Sequence, residues 1–214
     1  MRTQFSKLAL MATLALALAL TLSCSSGDDG NNNSGTSSPS GGGNENSQVY
    51  NEGDGTPFTG SGAIVIRKTS INAGSVTNGI VNLELPQTLK LPQNVADKYF
   101  NDFLDADEQR SCSNYPNGIK AFIEGIDFIQ PNITRRKEMY IYYRDGQLMQ
   151  GIEHWYFSIE GKVVCNLVYE DDVLNVNLDV KKGWNKIYVV TDRNGRKMST
   201  DNILTKEVKW FVED

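Results

Sequence analysis

Few residues in this chain are of a type that can do chemistry. There is a single histidine, His154, and there are three cysteines, Cys24, Cys112 and Cys165. One imidazole excludes sites that need two, such as His-rich zinc centres and the H-E-x-x-H proteases. Three thiols exclude a four-cysteine zinc or iron–sulfur centre. A Ser-His-Asp triad would have to use His154. Alternation along Ile152-Glu153-His154-Trp155-Tyr156-Phe157 puts Trp155, Phe157 and Ile159 on an apolar face, and His154, Tyr156 and Ser158 on the other. No G-x-S-x-G elbow accompanies it. Asp102, Asp105, Asp107 and Glu108 lack the alternation and central glycine of an EF-hand loop and read as a solvated helix end. Glu170-Asp171-Asp172 reads as a turn. The expectation is a protein that is not an enzyme, with no catalytic residue, metal or cofactor.

The first cysteine has a different context. Arg2 and Lys7 form a basic start, and residues 8–22 carry no charge. As a helix that run would be roughly 22 Å long at about 1.5 Å per residue, short of a bilayer core of about 30 Å. A basic start followed by a short apolar run is the pattern of a secretory signal peptide. It ends in Thr21-Leu22-Ser23-Cys24. The small Ser23 before Cys24 resembles the lipobox of bacterial lipoproteins, although Thr21 and Leu22 differ from that family's usual residues. The resemblance implies cleavage before Cys24 and acylation, palmitate included, on Cys24. It also implies that the lipid bilayer is a partner through that residue. Ser25 resembles the class sent to the outer membrane, and 25–30 resembles acidic surface-export signals. The expected location is therefore the outer membrane, on its periplasmic face or at the cell surface. Two or three acyl chains, at about 0.8 kcal/mol per buried CH₂, would hold the chain there.

Beyond Cys24 the composition changes. Residues 25–48 have no apolar side chain, and eighteen of the 24 are Ser, Gly or Asn. Such a run cannot bury enough surface to offset its ordering entropy and reads as a disordered tether. Glycines 53, 55, 60 and 62 lack the Gly-Lys-Ser/Thr of a phosphate loop and read as the tether's end. The expected organisation is a signal peptide over 1–23, a tether over 24–57 and one β-rich body over 58–214. The chain of 214 residues has a formal net charge of −5, and this acidic balance argues against a nucleic-acid partner.

The body reads as mainly β. Alternation and turn residues predict strands at 63–67, 79–85, 119–124, 126–130, 139–144, 147–150, 155–159 and 162–169, then at 174–180, 184–191, 196–199 and 207–212. The two at 119–130 could be one strand bent at Gly125. Asp145-Gly146 and, more weakly, Glu160-Gly161 signal hairpins. One helix is predicted over about 94–105, with Asn94 as N-cap and Val95, Ala96, Tyr99, Phe100, Phe103 and Leu104 on one stripe. Short connections favour an antiparallel meander forming a sandwich or barrel with that helix packed on it. The block KKGWNKIYVVT at 181–191, with Lys209-Trp210-Phe211, resembles the C-terminal end of many uncharacterised bacterial lipoproteins, which implies a small secreted β-domain.

Export to an oxidising compartment would favour a disulfide between Cys112, in a polar loop, and Cys165, in a strand. The alternative is two separate thiols, with Cys165 simply part of the core. Aromatic side chains supply the remaining lead. Trp155 and Trp210 fall on apolar faces, whereas Tyr140, Tyr142, Tyr156 and Tyr188 are expected to face outward. Outward rings on a β-face can stack on sugars or on a partner protein. The expected function is a membrane-anchored lipoprotein whose body is a non-catalytic binding or surface-structural module. A closed-barrel carrier of a small ligand, or a periplasmic or surface hydrolase, is the alternative.

Overall fold

Residues 47–169 and 172–213 are described by a computed structural model. The leader 1–23, Cys24, the tether up to residue 46, and Glu170 and Asp171 of the expected turn lie outside the described residues. The chain opens with β1 (Ser47–Asn51), β2 (Gly62–Ile66), β3 (Asn72–Thr77) and β4 (Ile80–Leu83). Helix α1 (Gln93–Tyr99), β5 (Asn101–Asp102), helix α2 (Ala106–Arg110), β6 (Cys112–Asn114) and β7 (Lys120–Phe122) follow. Then come β8 (Ile126–Ile129), β9 (Lys137–Asp145), β10 (Leu148–Phe157), β11 (Gly161–Tyr169) and β12 (Asp172–Val180). The chain ends with β13 (Gly183–Asp192), β14 (Gly195–Ser199) and β15 (Lys209–Val212).

Seven of these strands close into a barrel in the order β1-β4-β3-β2-β8-β9-β15. A ring with an odd number of strands cannot have antiparallel neighbours throughout, so at least one pair must run parallel. That pair is β1 and β15, which align Val49 with Trp210, Tyr50 with Phe211 and Asn51 with Val212. Every barrel strand sends apolar side chains inward. Val49, Ile64, Ile66, Ala73, Val76, Val81, Leu83, Ile126, Phe128, Met139, Ile141, Trp210 and Val212 fill the interior. This is the packed interior of a small barrel. Phe58 adds its ring to this core, edge-on to Phe128 at 5.4 Å. Gly79 makes room for that segment, because a Cβ there would lie 1.8 Å from the Phe58 carbonyl oxygen.

The tether therefore does not extend to residue 57. Val49 is fully buried in the barrel, and the Phe58 N–H donates to its carbonyl at 2.8 Å. Gly60 and Gly62 are packed against Phe58 and Phe128 instead of ending a tether. The reading missed β1 because its apolar contribution inward is the single residue Val49 in a polar run.

β9 has two partners on one edge, β8 for its first residues and β10 for its last. From β10 a second sheet continues in the order β10-β13-β14-β12-β11-β6. Its core holds Trp155, Phe157, Val163, Cys165, Leu167, Leu174, Val176, Leu178, Val180, Ile187, Val189 and Met198. Phe103, Leu104, Ile119 and Ala121 belong to the same cluster. β10 is the shared wall: Trp155 and Phe157 enter this core, while Tyr156 enters the barrel's.

The protein is mainly β, with consecutive antiparallel neighbours in β2-β3-β4 and β8-β9-β10. A single strand, β10 (Leu148–Phe157), runs where two, at 147–150 and 155–159, were expected. Glu160-Gly161 is not a hairpin, because β10 and β11 are separated by β13, β14 and β12. The Asp145-Gly146 hairpin is present, with Gly146 at φ 55°. Gly125, at φ 79°, separates β7 from β8 as two strands.

The helix expected over 94–105 is cut short, and Asn101–Asp102 form β5 instead. α1 ends at Tyr99, and its N-cap is Pro92, with no side-chain cap from Asn94. The apolar stripe serves two cores, since Val95, Tyr99 and Phe100 pack on the barrel and Phe103 and Leu104 on the second sheet. A continuous helix would keep all of these on one face. The acidic run after it starts α2: Asp105 accepts from the N–H groups of Asp107 and Glu108, and Glu108 accepts from the Asp105 N–H, a capping box.

Cys112 and Cys165 are bonded, with Cα atoms 4.1 Å apart. The expected loop around Cys112 is β6, whose ladder with β11 puts the two cysteines directly opposite each other. The bond closes a separation of 53 residues, which the chain-entropy model values at about 4 kcal/mol as an upper estimate. Urea unfolding with and without reductant is expected to show the reduced protein less stable by up to that amount. Coincident curves would mean that the staple constrains nothing in the unfolded chain.

Candidate binding surface

Strand alternation decides what the barrel shows to solvent. Where Val49, Trp210 and Ile141 point inward, their neighbours Tyr50, Phe211, Tyr140 and Tyr142 point outward. These four rings form a row across β1, β15 and β9. Tyr142 stacks on Phe211 with centroids 4.5 Å apart and planes 28° apart. Tyr140 meets Tyr142 edge-on at 6.5 Å, and Tyr50 meets Phe211 at 6.0 Å. Tyr142 reaches Phe211 diagonally, since Phe211 is directly opposite Tyr140 in the ladder. All four are half-buried.

Charged groups frame the row. The Lys209 ammonium lies 5.0 Å from the Tyr50 ring centre, and the Arg67 guanidinium 6.0 Å from that of Tyr140. Tyr142 donates its hydroxyl to Glu52 at 3.4 Å, and Tyr140 donates to Glu138. Burial, then the negative charge of Glu52, pushes the Tyr142 phenol up to about 12. Burial and the bond to Glu138 push Tyr140 well above the ordinary tyrosine range. Both hydroxyls are therefore neutral donors at neutral pH.

One end of the row rests on an ion network. Arg67, on the outer side of β2's end, donates through Nε to Asp127 at 2.8 Å and pairs through Nη1 with Glu138 at 2.8 Å. The Arg67 and Asp127 side chains are only 7 % and 8 % exposed, while Glu138 is 38 % exposed. Burial raises the Asp127 carboxyl, and the charge of Arg67 and its hydrogen bond oppose that rise. Arg136 donates to the Thr69 carbonyl at 2.7 Å and approaches Asp127 at 4.0 Å.

Of the four expected tyrosines, the structure brings Tyr140 and Tyr142 together. Tyr156 is a correction: it is 8 % exposed, edge-on to Trp184 at 5.5 Å and tilted against Phe100 at 6.2 Å. It was expected outward, but β10 is covered on both faces at that point. Tyr188 is half-buried in the second sheet, opposite Ile152 and Ser199, and no ring contact joins it to the row. His154 stands opposite Lys186. Sequence reasoning missed Tyr50, which was assigned to the tether, and Phe211, whose alternation between Trp210 and Val212 was the available signal. It also missed the Arg67 network, in which Arg67 reaches Asp127 and Glu138, 60 and 71 residues away.

Arg67→Met should leave the buried Asp127 without its hydrogen-bonded cation, with only Arg136 at 4.0 Å nearby. The expected cost is about 3–5 kcal/mol, read by urea unfolding, and adding Asp127→Leu should recover part of it. A loss under about 1 kcal/mol would show the network to be a solvent-screened surface pair.

No protein-family model, curated protein or solved structure matches this chain.

Proposed function

We propose that this protein is a membrane-anchored lipoprotein whose β-rich body is a non-catalytic module that binds carbohydrate through the outward row Tyr50, Phe211, Tyr142 and Tyr140. The row is the observation that carries the reading. An aromatic face attracts the C–H side of a sugar ring, and Glu52 and Glu138 beside the row supply acceptors for sugar hydroxyls. Stacking of Tyr142 on Phe211 holds the rings in place before a ligand arrives, which lowers the ordering cost of binding. Nearby groups favour binding over chemistry. The two phenols are held protonated, and Asp127 and Glu138 are tied to Arg67. In the same reading Cys24 is the acylation point, the outer membrane is the location and the polar run after Cys24 holds the body clear of the bilayer.

Two measurements test the two halves. The intact mass of the protein recovered from membranes should show an N-terminus at Cys24 bearing acyl groups. Cys24→Ser should abolish them, and an unacylated native N-terminus would end the lipoprotein reading. Xylan, laminarin, galactomannan and soluble muropeptides form the carbohydrate panel. At least one is expected to bind in calorimetry, and Tyr142→Ala is expected to weaken it tenfold or more, about 1.4 kcal/mol. Failure of the whole panel, or binding indifferent to Tyr142→Ala, would overturn the carbohydrate reading.

A further inference from the structure

A second feature lies away from the aromatic row. Between β4 and α1, Leu85, Leu89 and Leu91 pack against the barrel core. The Trp184 indole N–H donates to the Pro86 carbonyl at 2.9 Å, which pins this segment to β13. The segment, α1 and β10 leave a cleft of about 390 Å³ lined by Leu89, Lys90, Leu91, Ala96, Phe100 and Tyr156. That volume is at the lower end of the roughly 300–1,000 Å³ usual for small-molecule sites. The lining is apolar apart from the Tyr156 phenol and Lys90. No carboxylate lines the cleft, and among the described residues no ion pair holds Lys90.

We infer that this cleft binds one medium-length acyl chain ending in a carboxylate, with the chain against Leu89, Leu91, Ala96 and Phe100 and the carboxylate at Lys90. The charge complementarity is one-sided, since a single cation at an apolar cleft selects an amphipathic anion over a neutral or cationic one. The size selects one chain: a two-chain lipid needs more apolar room than a cleft of about 390 Å³ offers. Tyr156 forms part of the wall, and its ring meets Trp184 at 5.5 Å, so a ligand in the cleft lies beside a natural fluorophore. Leu89, Leu91, Phe100 and Tyr156 belong to or pack against the barrel's core cluster, so the cleft adjoins that core.

The test uses the full chain carrying Cys24→Ser, so that no acyl group on the protein competes, with 2-bromodecanoate as probe. Bromine quenches indole at short range. Saturable quenching is expected, and Trp184→Phe should remove it. Lys90→Glu, at an exposed residue, should weaken binding at least tenfold. Ala96→Phe should fill the cleft and abolish binding. Bromodecyl-trimethylammonium should bind at least tenfold more weakly than the acid. Absence of quenching, equal binding of the cationic analogue, or binding unchanged by Lys90→Glu would each overturn the proposal. Quenching only by vesicles of brominated phosphatidylglycerol, with none by the free acid, would also overturn it. Tyr142→Ala is expected to leave this binding unchanged, which separates the cleft from the aromatic row.

Discussion

The structure depends on how a seven-strand ring is closed. Six antiparallel contacts return a strand's direction to its starting sense, so the seventh contact must be parallel, and a parallel pair cannot be joined by a tight turn. Here the parallel contact brings β1 and β15 together, one from each end of the described chain. With this contact made, Trp210 and Val212 are buried and Tyr50 and Phe211 become neighbours on the outside. The inner core and the outer aromatic row are thus two faces of one ladder, and a slip of one residue would exchange them.

The second sheet is tied to this closure through β10. Its first half extends the barrel by pairing with β9, and its second half carries Trp155 and Phe157 into the other core. The buried Gln150 lies in the first half, opposite Tyr143 of β9. Its side-chain oxygen accepts from the N–H groups of Thr205 and Lys206 at 2.9 and 3.0 Å, and its amide donates to the Thr205 hydroxyl at 2.8 Å. These bonds hold the segment that returns from the second sheet to β15. A buried amide satisfied in this way fixes a path that apolar packing alone would leave less defined.

Local patterns were legible in the sequence and distant ones were not. Leu174, Val176, Leu178 and Val180 alternate cleanly with polar residues, and β12 is where that alternation placed it. Asp145-Gly146 announced a hairpin by its own chemistry. β3 was not anticipated, because Ala73 and Val76 are its only buried hydrophobic side chains among Asn, Gly, Ser and Thr. β1 was hidden for the same reason: Val49 is visible as a core residue only once β4 and β15 flank it. The helix stripe was real but was divided between two cores, which no local pattern records. At the candidate surface, Tyr140 and Tyr142 were legible from alternation, whereas Tyr50, Phe211 and Arg67 required the ring to be closed. Tyr156 was misplaced because its strand has no exposed face there.

Amide hydrogen exchange of the full chain tests the closure most directly. In the barrel the Val49 N–H donates to the Gly79 carbonyl at 2.7 Å and the Glu52 N–H to the Val212 carbonyl at 3.0 Å. If β1 is a true strand of the ring, the Val49 amide should open only with the global unfolding that releases β9 and β15, and should share their protection. Exchange of Val49 at the rate of an unstructured segment, while β9 and β15 remain protected, would show that the barrel stands without β1 and would contradict the account.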